Sequence, residues 1–167
     1  MSTASVGFSR DANFIPITDL GLVVSKAITT NATNTTATVP LFSVTGVVKV
    51  KSLYGIVTTT LGSNQTAAYW QINDQTATPD ISLATGTTVS SAGVGSFLLR
   101  QSGASVALVL ADSVAGRVTD PVAATAPDIF MPFAVTQKVG SVLTTIDYTY
   151  TTNQSPTTGA ITFDCGF

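Results

Sequence analysis

The sequence contains no glutamate and no histidine, and its only cysteine is Cys165. Without histidine there is no Ser-His or Cys-His nucleophile pair, no imidazole metal ligand and no ordinary general base near neutral pH. A lone cysteine excludes an intrachain disulfide and a cysteine-rich zinc site. Charge of either sign is scarce. Seven Lys and Arg and nine Asp make up 10% of the 167 residues, against about 25% in an ordinary soluble domain. The basic residues Arg10, Lys26, Lys49, Lys51, Arg100, Arg117 and Lys138 are scattered. They form no stripe that would displace counterions from a polyanion, so nucleic acid is not an expected partner. Long apolar runs are missing too. Mean hydropathy is +0.40, yet the longest run, Val106 to Ala111, is strand-sized and far short of the ~20 residues a membrane-spanning helix needs. No membrane partner is expected. Met1 to Arg10 has no apolar stretch of the kind a secretory signal carries, which predicts synthesis and folding in a cytoplasm.

What is present points to strands. Thr is the commonest residue and Val is abundant; both are stiff at χ1 and suit a pleated surface. No segment carries a convincing amphipathic helix, and turn-forming clusters recur between short apolar runs. The expectation is a single all-β domain, a jelly-roll-like sandwich or barrel of about 8–10 antiparallel strands, over residues 21–167. Residues 1–20 read as an extended arm, with Phe8, Phe14, Ile15 and Ile17 isolated among polar residues and Pro16 excluding a helix interior. An apolar chain with so few ionised groups is expected to be covered in part by other subunits. Ordering a Lys or Glu side chain costs up to ~2 kcal/mol in entropy, and Thr, Ser and Asn cost less while still forming hydrogen bonds.

Several runs carry the strand pattern. Residues 21–29 hold Leu22, Val23 and Val24, residues 31–38 read as a Thr/Asn-rich loop, and Leu41 to Thr45 leads through Gly46 into a long run from Val47 to Thr60. Along that run Val48, Val50, Tyr54 and Ile56 share one parity and Lys49 and Lys51 the other, which predicts one half-buried strand; Gly55 marks a bulge or a close backbone approach. Thr66 to Asn73 is a strand, Asp74 to Asp80 a loop, and Ile81 to Ala84 a short strand. Val94 to Gln101 and Val106 to Ala111 form a hairpin. Asp128 to Thr136 is a strand held to an edge or bulge by Pro132. Finally Ile146, Tyr148 and Tyr150, and then Ile161, Phe163, Cys165 and Phe167, alternate with polar residues on two arms joined by residues 153–159. These read as a terminal hairpin with a shared core-facing surface, on which Cys165 is a buried small hydrophobe.

Candidates for chemistry are few. No glycine run precedes a helix as a phosphate-binding loop requires. Asp74 and Asp80 could pair as carboxylates or bind calcium, but two Asp residues in a turn are far more often solvated turn formers, and that reading is preferred. Ser52 beside Lys51 has no supporting context. No catalytic residue, metal site or cofactor is expected, and the chain is not expected to be an enzyme. Tyr69 and Trp70 raise a glycan-stacking alternative; adjacent strand residues face opposite sides, so only one of them can lie in the core. Four Asn-X-Ser/Thr matches, at Asn31, Asn34, Asn64 and Asn153, arise readily in a Thr-rich chain and have no secretion signal beside them.

The arm FSRDANFIPI (8–17), the run LFSVTGVVKVKSLYGIVTT (41–59) and the terminal strand pair together resemble small β-rich virion proteins of tailed bacteriophages, the capsid decoration or cement proteins. The chain departs from that pattern in its Thr-rich stretch at 31–38 and in ending at Phe167, where a few more residues are expected. The resemblance implies a jelly-roll-like structural protein on the virion, a homotrimer seated on the capsid surface where copies of the major capsid protein meet. It implies that the arm, through Phe8, Arg10, Phe14, Ile15 and Ile17, grips a neighbouring subunit. The alternative is a tail or head-fibre module that binds host surface glycans through Tyr69 or Trp70.

Overall fold

The computed structural model describes residues 22–74, 80–100, 109–111, 133–137, 143–152 and 159–167. The described residues form eleven strands and no helix: β1 Val23–Thr30, β2 Thr36–Val44, β3 Val47–Val50, β4 Ser52–Thr59, β5 Gln65–Asn73, β6 Ile81–Ser82, β7 Phe97–Leu99, β8 Val109–Ala111, β9 Phe133–Thr136, β10 Thr144–Thr152 and β11 Gly159–Gly166. All pairings are antiparallel. One sheet has the order β1-β11-β4-β7-β8, a second β2-β10-β5-β6, and β3 and β9 form a two-stranded ribbon. The pairing is nested. β1 pairs with β11, β2 with β10, β3 with β9, β4 with β7 and β5 with β6. The chain is therefore one long hairpin folded back on itself, and its successive pairs alternate between the layers. It is a β-sandwich, as the composition predicts, and no sheet closes into a barrel.

Three expectations about strands change. The run 47–60 is two strands rather than one. Val50 ends β3, and Lys51, whose N–H donates to the Gly166 carbonyl at 2.7 Å, passes the chain into the five-stranded sheet. The break shifts the parity: in β4 the buried side chains are Leu53 and Val57, while Tyr54 and Ile56 lie half-buried on the opposite face. The loop at 31–38 is shorter than expected, because β2 begins at Thr36 and carries Pro40 within it. β10 and β11 are not a hydrogen-bonded hairpin. They sit in different sheets and face each other across the core. A parity pattern reports which residues face inward, and two strands on opposite sides of one core carry the same pattern as two neighbours.

The core fills the space between the sheets. The Phe163 ring from β11 meets Trp70 of β5 edge-on at 6.2 Å and Tyr148 of β10 at 4.9 Å, and Tyr148 stacks on Tyr150 at 5.6 Å. Val50, Val57, Leu98, Ile146 and Ile161 close around them with no exposed surface. Cys165 is buried here as expected, and burial pushes its thiol up to about 12. The ribbon joins through Val135, also buried. Arg100 ties it down: its Nε–H donates to the Leu83 carbonyl at 3.1 Å, and its guanidinium lies 4.7 Å over the Phe133 ring.

Gly55 is the close approach that its place in a strand suggested. A Cβ there would lie 2.8 Å from Cε1 of Phe163 and 3.2 Å from Cγ2 of Ile161. Phe163 stands directly opposite Gly55 in the β4–β11 register and lays its ring over the bare backbone. Gly55→Ala forces that ring off its place. The expected loss is about 1–3 kcal/mol, the usual cost of overpacking a dense core, measured by urea unfolding.

Candidate functional site

The strand register builds a polar grid on the outer face of the four-stranded sheet. Thr145 stands between Ser43 and Asn73, Asp147 between Pro40 and Gln71, and Thr149 between Thr38 and Tyr69. Ser82 of β6 lies beyond Gln71. Two hydroxyl pairs link β2 to β10: Thr38 with Thr149 at 3.1 Å and Thr36 with Thr151 at 2.9 Å. β10 has strands on both sides within its sheet, and its outward residues Thr145, Asp147 and Thr149 are all buried.

At one end of this grid carboxylates and amides gather. Asn73 Nδ2 donates to Asp147 Oδ2 at 2.9 Å, and Gln71 Nε2 donates to Asp80 Oδ2 at 2.7 Å. The other Asp147 oxygen, Oδ1, has no hydrogen-bond partner, and neither has Thr145 Oγ1, although both are buried. Asp80 is exposed at the rim. Desolvation raises its pKa first, then the negative charges of Asp147 and Asp74; the Gln71 hydrogen bond opposes them. Asp74 and Asp80, expected as loop residues, are thus joined by Asp147 from a strand seventy residues away in sequence. The long separation hides this association from any local motif. Among the described residues, no group of three or more His, Cys, Asp or Glu side chains is arranged as a ready-made metal site.

The two aromatic candidates separate as strand geometry requires. Trp70 is enclosed in the core with no exposed surface, which removes it as a stacking platform for a sugar. Tyr69 is half-buried on the polar grid beside Thr149. Ser52 is buried next to Gly166, where a Cβ added at Gly166 would meet its Oγ, so it faces no reacting group. The arm residues Phe8, Arg10, Phe14, Ile15 and Ile17 lie outside the described residues.

A second surface is apolar. β1 is the outermost strand of its sheet among the described residues, with Val23 to Ala27 exposed along it. Val23 is 58% and Val24 39% exposed, and Leu22, whose carbonyl accepts from the Phe167 N–H at 2.9 Å, is 67% exposed. Beside it, Asp164 accepts from the Ser25 hydroxyl and is bonded to the Tyr54 side chain, whose pKa is raised by burial and by that carboxylate. Tyr54 and Phe97 pair on the same outer face with ring centroids 6.3 Å apart. The opposite layer's outer strand, β2, is blunted instead: Pro40 offers no N–H, and the β2–β10 register breaks next to it. The chain matches no family model, no curated protein and no solved structure.

The Asp80 geometry predicts a pH signature. An acid whose pKa is raised on folding favours the folded state while protonated, and that contribution is lost as pH rises through the raised value. Ionised Asp80 is therefore a source of repulsion at neutral pH. In chelator-containing buffer, Asp80→Asn is expected to melt at a higher temperature than the parent at pH 7. The gap should close as the pH is lowered toward the ordinary value of 3.8; melting curves across pH 3–7 measure it.

Proposed function

We propose that this chain is a structural virion protein of a tailed bacteriophage, a capsid decoration or cement protein that acts by being held between other proteins. The observation that carries the reading is the β1 edge: an eight-residue outer strand with a single charge, Lys26, and an exposed Leu-Val-Val start at Leu22, Val23 and Val24. An open, apolar strand edge is an aggregation liability in a protein that works alone, and natural proteins usually blunt it with charge, proline or a bulge. β2 carries a proline and a register break, whereas β1 carries only the one charge of Lys26, which fits a β1 that is covered in an assembly. The arm at residues 1–20 leads directly into β1 and would extend the same contact onto a neighbouring subunit through Phe8, Phe14, Ile15 and Ile17.

The strand order supports the same class of function by analogy. With the local hairpin strand β8 and the β3–β9 ribbon set aside, the nested order β1-β11-β4-β7 over β2-β10-β5-β6 supports a jelly-roll-like reading of the sandwich, an architecture shared by viral capsid and lectin domains. Fold alone does not assign function, and the jelly roll serves both readings. The glycan reading retains Tyr69, half-buried among Thr38, Thr149 and Gln71, and has lost Trp70. One aromatic on a strand face is a smaller platform than the edge is a docking surface, so the assembly reading is preferred. On a capsid, a trimer engaging three sites at once gains avidity without new contacts, and a stable interface needs about 1,200–2,000 Å² in total.

Deletion of residues 1–17 is expected to abolish binding to purified phage capsids while the circular dichroism spectrum stays that of a β-protein. The pair Val23→Lys and Val24→Lys is expected to weaken binding and shift the native mass from trimer toward monomer. Normal capsid binding by both variants would defeat the reading, and a glycan-array signal lost in Tyr69→Ala would replace it with the alternative.

A further inference from the structure

We propose that Asp147 and Asp80 together hold a calcium ion at the end of the polar grid, with the Thr145 hydroxyl as a third oxygen. Asp147 is the anchor. It has no exposed surface, one oxygen is occupied by the Asn73 amide, and Oδ1 receives no donor. A buried acceptor left unmatched keeps its full desolvation penalty, so such a group marks where a partner belongs. Thr145 Oγ1, two residues away on the same face of β10, is equally buried and equally without a partner. Gln71 stands opposite Asp147 in the register and donates to Asp80 at the exposed rim, and Asp147 is among the charges that act on Asp80. Both charges that act on Asp80 among the described residues, those of Asp147 and Asp74, are negative.

The donors are all oxygen, which selects a hard cation. Calcium takes about six to eight oxygen ligands at about 2.3–2.6 Å in flexible geometry, whereas magnesium demands a near-ideal octahedron. Two carboxylates with hydroxyl, amide and water oxygens form a low-charge set, and such sites bind in the range of about 10⁻⁴–10⁻³ M. Asp147 is fixed in an inner strand and Asp80 lies at the surface, so the ion would enter from the Asp80 side. The site would tie Asp80, next to β6, to β10. This inference is independent of the docking role, because the β1 edge belongs to the other sheet.

The full-length protein, stripped with chelator, is titrated with calcium and with magnesium and followed by its melting temperature and by calorimetry. Terbium serves as a luminescent stand-in excited through tyrosine, Tyr69 being the next aromatic along the same face. The expected result is saturable binding of one calcium per chain at roughly 10⁻⁴–10⁻³ M, with magnesium weaker. Asp80→Asn, a rim substitution that leaves the fold intact, should weaken binding by roughly tenfold or more and dim terbium luminescence. Asp164→Asn, on the other sheet, should leave both unchanged. Absence of a saturable calcium response overturns the proposal, as does an Asp80→Asn variant that binds like the parent.

Discussion

The two sheets are held together by a single aromatic contact zone. Phe163 reaches from the five-stranded sheet onto Trp70 and Tyr148 of the other, and buried aromatics of this size each remove about 150–250 Å² from water. That contact is possible only because Gly55, opposite Phe163, has no side chain. The nested strand pairing serves the same contact. It brings the last two long strands, β10 and β11, to the centres of the two layers, where Tyr148, Tyr150 and Phe163 can meet. A chain with so few ionised groups has few surface ion pairs to draw on, and exposed pairs are worth little in any case. Its stability rests on this buried zone and on the ladders around it.

A central strand places polar residues under constraint. β10 is covered on both faces, so its outward residues must be satisfied within the sheet. Two threonine hydroxyls manage this laterally, Thr149 with Thr38 and Thr151 with Thr36, at low entropic cost because the side chains are short. Thr145 Oγ1 and one oxygen of Asp147 do not. The difference between the two satisfied threonines and this unmatched pair on the same face is what singles out one end of the grid chemically.

Much of the architecture was legible in the sequence. The abundance of β-branched residues and the absence of helical periodicity gave the all-β class, and the alternation at 146–150 and 161–165 identified the central core residues. Adjacent placement of Tyr69 and Trp70 required them to part, and they did. Pairing was not legible in the same way. Alternation records a residue's face and carries no information about its neighbour strand, so β10 and β11 read as a hairpin. The break at Lys51 was hidden because Val47 to Thr60 is continuously strand-like, and the shift appears only where Leu53, rather than Tyr54, turns inward. Asp147 falls on the polar parity of the alternation at 146–150, and nothing in the pattern marks it as buried.

The edges complete this picture. A sandwich has four edge strands, and each must be covered, shortened or chemically protected. Among the described residues β6 and β8 are two and three residues long, and β2 carries a proline and a bulge. Shortness protects the first two and lost donors protect the third. β1 has neither protection. It is eight residues long, unbroken in register from Val23 to Thr30, and apolar at its exposed start. Among the described residues three edges are thus shortened or deprived of donors, and the fourth is a long, regular strand whose one charge is Lys26. The same physical rule that accounts for the two short strands and the proline therefore singles out β1 as the edge with the most backbone left to pair.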